Sequence, residues 1–283
     1  MAARDQPVPT ATGFADLPHS ELAGGPARIF YRQWGSGTPV IFLHGGWGYE
    51  IYPLDHQQRS IAGFRVIAPD RSGYGRSTKP AIFSADFHPR AVQETLALLD
   101  ALGLHRCIFW GHSDGSVIAA LLGLAAPQRC LGLIFEAFHY DRRKGARDFF
   151  RQMAVAPDSF GEHVSAILAA DHGEDYWRDL IRSEGRAWLE IAALAAPGHA
   201  GSPRNDLYDG RLSQLQVPAV FIHGAQDPRT EPGELEAVRR ELPRADMRLL
   251  PAGGHSPHSE RESAAEFTRL LRETLAGWSN SQP

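Results

Sequence analysis

Short unbroken apolar runs alternate along most of this chain with longer stretches in which apolar residues return every third or fourth position. Strand-like segments fall at 27–34, 39–43, 64–68, 106–110, 131–135, 217–222 and 247–250, and 39–43 is a continuous apolar run. Several apolar residues in a row, without polar alternation, predict strands buried on both faces. Helical spacing predicts helices over 89–104, where Val92, Leu96 and Leu99 recur, and over 115–126, which Pro127 ends. Further helices are expected over 233–242 and at the C-terminal end, where Ala264, Phe267, Leu271, Leu275 and Trp278 form one stripe. Residues 49–62 could hold another helix, and the Pro-, Gly- and Ala-rich residues 1–25 predict a partly ordered lead-in.

Between 141 and 214 the pattern changes. Strand-like runs vanish, and large apolar residues recur at helical spacing: Phe149, Phe150 and Met153; Val164, Ile167 and Leu168; Tyr176, Trp177, Leu180 and Ile181; Trp188, Ile191 and Leu194. Pro157 and the 197–203 region punctuate the stretch. Buried strands alternating with amphipathic helices predict an α/β core with a mainly parallel sheet, formed by 1–140 and 215–283, with 141–214 as a helical insert.

The 283 residues suffice for one large α/β domain with such an insert. A net charge of −4 gives no reason to expect nucleic acid or an anionic membrane as partner; the small-molecule substrate expected for the chain rests on its motifs, not on its charge. Lys79 and Lys144 are the two lysines; arginine supplies the other basic residues, scattered among acidic ones. Cys107 and Cys130 each open an apolar run and read as buried free thiols, with no cysteine cluster to hold a metal. Residues 1–11 lack the apolar segment of a secretory signal, and no stretch approaches the ~20 apolar residues of a membrane span. A soluble cytoplasmic protein is expected.

One stretch changes the picture from fold to chemistry. The run at 106–110 stops at Gly111, Ser113 follows, then Gly115, then a long apolar helix. This is G-x-S-x-G in a strand–turn–helix context, which exposes a serine hydroxyl at the tip of a sharp turn. A hydroxyl is a weak nucleophile at neutral pH and needs a base, and the base an orienting acid. In parallel sheets such groups gather beyond the carboxyl ends of the strands. The loops after 217–222 and 247–250 supply Asp227 as acid and His255 as base, in the chain order Ser, Asp, His. Glu136, at the end of its own strand, is an alternative acid. His258 is read as a rim or supporting residue, His44 and His112 as structural, and Asp70 and Arg71 as braces of their loop. Trp47, Trp177 and Trp188 are candidates to line a substrate pocket.

His44-Gly45-Gly46, the glycine-punctuated loop from Asp70 to Ser77, the elbow from Gly111 to Gly115, and the Asp227 and His255 loops occur in a fixed order. In this the chain resembles the α/β-hydrolase superfamily. The resemblance implies an eight-stranded, mainly parallel sheet flanked by helices, with 141–214 as the cap or lid. It implies an oxyanion hole from the backbone N–H groups of Gly46 and Asp114, and it favours Asp227 over Glu136 as the acid. The activity implied is that of a serine hydrolase acting on a small carboxylic ester or lactone through an acyl-enzyme, with no metal or organic cofactor. Carbon–carbon bond hydrolases and prolyl aminopeptidases share the triad and stand as alternatives, as does a slow-turnover, receptor-like ligand binder of this fold.

Overall fold

The computed structural model describes residues 10–279, apart from 59, 81 and 196–204. Eight strands form one sheet in the order β1-β2-β4-β3-β5-β6-β7-β8. They are β1 (Ala11–Ser20), β2 (Gly25–Gly35), β3 (Thr38–Leu43), β4 (Phe64–Pro69), β5 (Cys107–His112), β6 (Cys130–Glu136), β7 (Ala219–Gly224) and β8 (Asp246–Leu250). β1, β2 and β4 pair antiparallel, and every pair from β3–β4 to β7–β8 is parallel. Sequence order leads from β3 outward to β4, then back past β3 to β5. The chain therefore reverses direction at the β3–β5 pair, where open α/β sheets place their ligands.

Period-two alternation along each central strand fills two cores. Ile41, Leu43, Phe109, Leu133, Phe135 and Phe221 face one side. There they meet α1 (Phe87–Ala101) and α2 (Asp114–Ala125). Val40, Phe42, Ile108, Trp110, Ile134, Val220 and Ile222 face the other, where Phe267, Leu271 and Leu275 of α7 (Ala264–Ser279) cover them. A strand buried on both faces has no polar side, which explains the unbroken apolar runs. Cys107 and Cys130 stand opposite each other on β5 and β6 as free thiols, and burial pushes both up to about 12.

Among the described residues, the segment between β6 and β7 carries α3 (Asp148–Val155), α4 (Glu162–His172) and α5 (Trp177–Leu194). Its single strand-like feature is the bridge Asp141↔Asp206. The punctuation expected at 197–203 lies outside the described residues. α6 (Glu234–Glu241) follows β7.

Two expectations about local structure are corrected. The lead-in is a regular strand from Ala11 onward, pairing antiparallel with β2 through the turn at Gly24, which takes φ +75. Ala15 and Leu17 bury one face of β1, a stripe of small residues diluted by Pro18 and His19. The described residues of 49–62 form turns rather than a helix; Pro53 interrupts them, and Gln57 is drawn out to the backbone of His258 and to Thr268.

Candidate active site

The loops after β3, β5, β6, β7 and β8 converge at the carboxyl edge of the sheet. Ser113 joins β5 to α2 with φ 55 and ψ −119, a conformation that costs a non-glycine residue about 1–3 kcal/mol. It is held there from both sides. Its N–H donates to Glu136 O at 3.0 Å, and Ser116 returns its own N–H and hydroxyl to the Ser113 carbonyl. A side chain at Gly115 would run into the Leu43 and His44 carbonyls, and one at Gly111 into the backbone of Gly115 and Ser116. Both glycines are required by close approach of backbone to backbone.

Ser113 Oγ lies between two imidazoles, 3.1 Å from His255 Nε2 and 3.1 Å from His139 Nε2. The two rings are nearly parallel, at 17°, with centroids 5.8 Å apart. Distance does not distinguish them, but their partners do. His255 Nδ1 is 3.0 Å from both carboxylate oxygens of Asp227. An ionised carboxylate only accepts hydrogen bonds, so Nδ1 carries the proton and Nε2 presents its lone pair to Ser113. Burial, then Arg229, lowers His255 to about 4 against the pull of Asp227, so the ring is neutral at neutral pH. Burial alone would raise Asp227, but the His255 ring and its hydrogen bonds hold it well below the usual carboxylate range.

His139 is backed by a cation instead. Its Nδ1 is 2.9 Å from Lys144 Nζ, and Lys144 is 2.7 Å from both oxygens of Glu234. Burial, then Lys144, holds His139 well below the ordinary histidine value. A positive charge beside one ring nitrogen opposes protonation of the other, so His139 is the poorer proton acceptor.

On the β3 side, Arg71 clamps the His44 and Gly45 carbonyls while its backbone N–H donates to His44 Nε2 at 3.1 Å. Since a trans peptide points N–H and C=O in opposite directions, the Gly46 N–H faces away from Arg71. A Cβ at 46 would overlap the Glu184 carboxyl. Asp70 bonds Arg32 at 2.5 Å and the Arg76 N–H at 3.0 Å, which braces its loop. His112 Nε2 meets His255 O and the Ser256 hydroxyl and so fastens the loop that carries His255.

Asp114 presents its carboxylate to His88 Nε2 at 2.7 Å and to Trp188 Nε1 at 3.2 Å. Glu184 hydrogen-bonds to the same carboxylate. Burial first, then Asp114, raises Glu184 well above the ordinary carboxyl value.

Glu136 does not reach His255. Its carboxylate accepts from the ring and the backbone N–H of His258, at 2.7 and 3.0 Å, and from Trp110 Nε1 at 3.1 Å. His258 is correspondingly no rim residue but fully buried. Burial opposes its charge, yet the Glu136 carboxylate raises its pKa above the ordinary value. His112, Glu136 and His258 bring ligand-capable atoms within 4.8 Å of one another. The Glu136–His258 bond already engages two of the three groups.

Ser113 opens onto a cavity lined by Gly46, Trp47, Phe149, Phe150, Glu184 and Trp188, among others. Its free volume is about 10 Å³, room for no more than about one water. Trp47 stacks on Phe149 at 5.7 Å and Trp188 on Phe150 at 4.8 Å. Trp177 is absent from the lining; it is buried in the core beneath Arg178.

His139, Lys144, Glu184 and Glu234 escaped the sequence reading. Two signals were available. His139 follows a strand end as Asp227 and His255 do, and Glu184 interrupts the apolar stripe of Trp177, Ile181, Trp188 and Ile191 on α5.

A mainly parallel eight-stranded sheet, with a strained serine at its switch point between two imidazoles, is the frame of a hydrolase. Comparison with known proteins agrees. The model of the α/β hydrolase fold family matches residues 38–262. A non-heme chloroperoxidase from Streptomyces lividans is 39% identical over 232 residues, covering 71% of this chain and 79% of its own. A probable proline iminopeptidase from Leptolyngbya boryana is 25% identical, over 81% of this chain and 85% of its own. The solved structure of a thermophilic esterase from Thermogutta terrifontis shares the fold with a TM-score of 0.69 and 23% identity, over 94% of this chain and 99% of that one. The chain belongs to the α/β hydrolase fold family and is a hydrolase. No described helix is long and apolar enough to cross a membrane.

Proposed function

We propose that the chain is a serine hydrolase that cleaves a small carboxylic ester or lactone through an acyl-enzyme. The observation that carries this is the unbroken line from Ser113 Oγ through His255 to Asp227, with hydrogen bonds of 3.1 and 3.0 Å. Ser113 attacks the carbonyl carbon as its proton passes to His255 Nε2. Asp227 holds the ring orientation and stabilises the imidazolium. The backbone N–H groups of Gly46 and Asp114 receive the developing oxyanion, each contributing about 3–4 kcal/mol on the scale of a single deleted donor. His255 then protonates the departing alcohol and activates water for deacylation. The segment 141–214 acts as the cap: Phe149 and Phe150 must shift to admit a substrate into the closed cavity, and their rings favour an apolar acyl or alcohol group.

Ser113→Ala should abolish both turnover and covalent labelling by a fluorophosphonate; labelling of the alanine variant at the same site would refute the assignment. A p-nitrophenyl ester chain-length series separates rapid multiple turnover from the single burst of a slow binder.

A second reading rests on Glu184 and Asp114, two acidic groups against the oxyanion loop. They suit a substrate that brings an amino group close to its scissile carbonyl, as in an aminoacyl ester or an N-terminal peptide bond. A higher kcat/KM for aminoacyl than for simple acyl p-nitrophenyl esters would favour it, and the reverse order would exclude it.

A further inference from the structure

The Ser–His–Asp line leaves a buried chain on the other side of Ser113 without a task. Lys144 and Glu234 are each almost fully buried, and the side-chain polar atoms of His139, Lys144 and Glu234 all find partners. An ammonium has three N–H donors and no lone pair. Those of Lys144 go to Glu234 Oε1, Glu234 Oε2 and His139 Nδ1, at 2.7, 2.7 and 2.9 Å. The Glu234 carboxylate also accepts the backbone N–H groups of Tyr140, Asp141 and Glu231. A charge this well satisfied stays in place, and the tautomer of His139 follows. Nδ1 must accept from Lys144, so the ring proton sits on Nε2, which faces Ser113 Oγ. His255 is the mirror case, with its proton on Nδ1 and an accepting Nε2. The directions are consistent from end to end: Lys144 donates to His139, His139 to Ser113 Oγ, the Ser113 hydroxyl to His255, and His255 to Asp227.

We propose that His139 is a second catalytic residue: its Nε2–H, aimed by Lys144 and Glu234, donates to Ser113 Oγ and directs that hydroxyl's proton to His255. The proposal rests on Ser113 being the nucleophile. His139 transfers no proton. It supplies a fixed donor to the oxygen that gains negative character as its proton leaves, and again when that oxygen is expelled from the acyl-enzyme. The ring is immobilised for this. Ala137 adopts φ 50 just past β6, the Tyr208 hydroxyl donates to His139 O at 2.7 Å, and Trp188 packs edge-on at 5.6 Å. Lys144 and Glu234 do not touch the reacting atoms and are positioning residues.

Long-range ¹H–¹⁵N correlation of histidine-labelled resting enzyme reads the tautomer directly, with His139→Gln identifying the signal. The Nε2–H tautomer is expected for His139 and the Nδ1–H tautomer for His255; an Nδ1–H tautomer at His139 would overturn the proposal. His139→Leu should slow acylation about tenfold to a hundredfold, the span of one hydrogen bond to a developing charge, with KM little changed. His139→Gln, whose amide can donate to Oγ, should recover part of that loss. Acylation at the wild-type rate in a folded His139→Leu variant would also overturn it. In Lys144→Met/Glu234→Gln, a combination that leaves no lone buried charge, the His139 signal should become a mixture of tautomers and kcat should fall. A single Nε2–H tautomer there would remove Lys144 from the scheme. Fluorophosphonate labelling of Ser113 tests the underlying nucleophile independently of the tautomer.

Discussion

The two imidazoles beside Ser113 are equal in distance and opposite in chemistry. His255 sits on the loop after β8 and leans on a carboxylate; His139 sits on the loop after β6 and leans on an ammonium. Since a base is defined by what stabilises it once protonated, the second partner decides the role that the first distance leaves open. Asp227 stabilises an imidazolium at 255, and Lys144 destabilises one at 139. The same contrast holds for the two acids near the elbow. Asp227 is directed at the ring that faces Ser113, whereas Glu136 is consumed by His258 and Trp110.

Substitutions should separate these pairs. The largest effect is expected from the His255 side: Asp227→Asn should reduce kcat by about 10⁴-fold through loss of the correct tautomer, measured with a p-nitrophenyl ester. Glu136→Gln should act on stability instead. Leaving His258 buried without its ionic partner should cost about 3–5 kcal/mol in urea unfolding, while the folded fraction retains most of its kcat. An outcome with the two effects exchanged would make Glu136 the acid.

A smaller effect concerns pH. His255 must be neutral to accept a proton, so kcat/KM should fall on the acid side with an apparent pKa of about 4. Arg229 is, after burial, the leading cause of that low value, so Arg229→Gln should move the acid limb upward. An unmoved limb would place the responsible charge elsewhere. The smallest effect is linkage. Because the folded pKa of His255 lies below the ordinary 6.5, the unfolded chain binds that proton first, and stability is lost as pH falls from 6.5 toward 4. Replacing His255 by Gln should flatten the pH dependence of unfolding in that window by about 1.4 kcal/mol per unit.

How much of this was legible in sequence differs between the same two sides. The runs at 39–43, 106–110 and 131–135 announce the central strands because burial on both faces leaves no polar positions. Asp227 and His255 are visible because short loops place them just past such runs. β1 was obscured because small Ala and Gly residues bury little surface and give weak periodicity. The His139 chain was hidden for another reason. Its members lie at 139, 144 and 234, and what joins them is a contact across the sheet edge rather than any spacing. Trp177 shows the converse limit: helical periodicity marks a residue as buried, and it does not say whether the residue faces a cavity or the core.

The pre-steady-state burst of p-nitrophenol from a p-nitrophenyl ester tests most directly which imidazole is the base. With His255→Gln the acylation burst should disappear from the accessible time range. With His139→Gln a burst should remain, slower than wild type by less than about a hundredfold. A persistent burst in His255→Gln, together with its loss in His139→Gln, would contradict the account and assign the proton of Ser113 to His139.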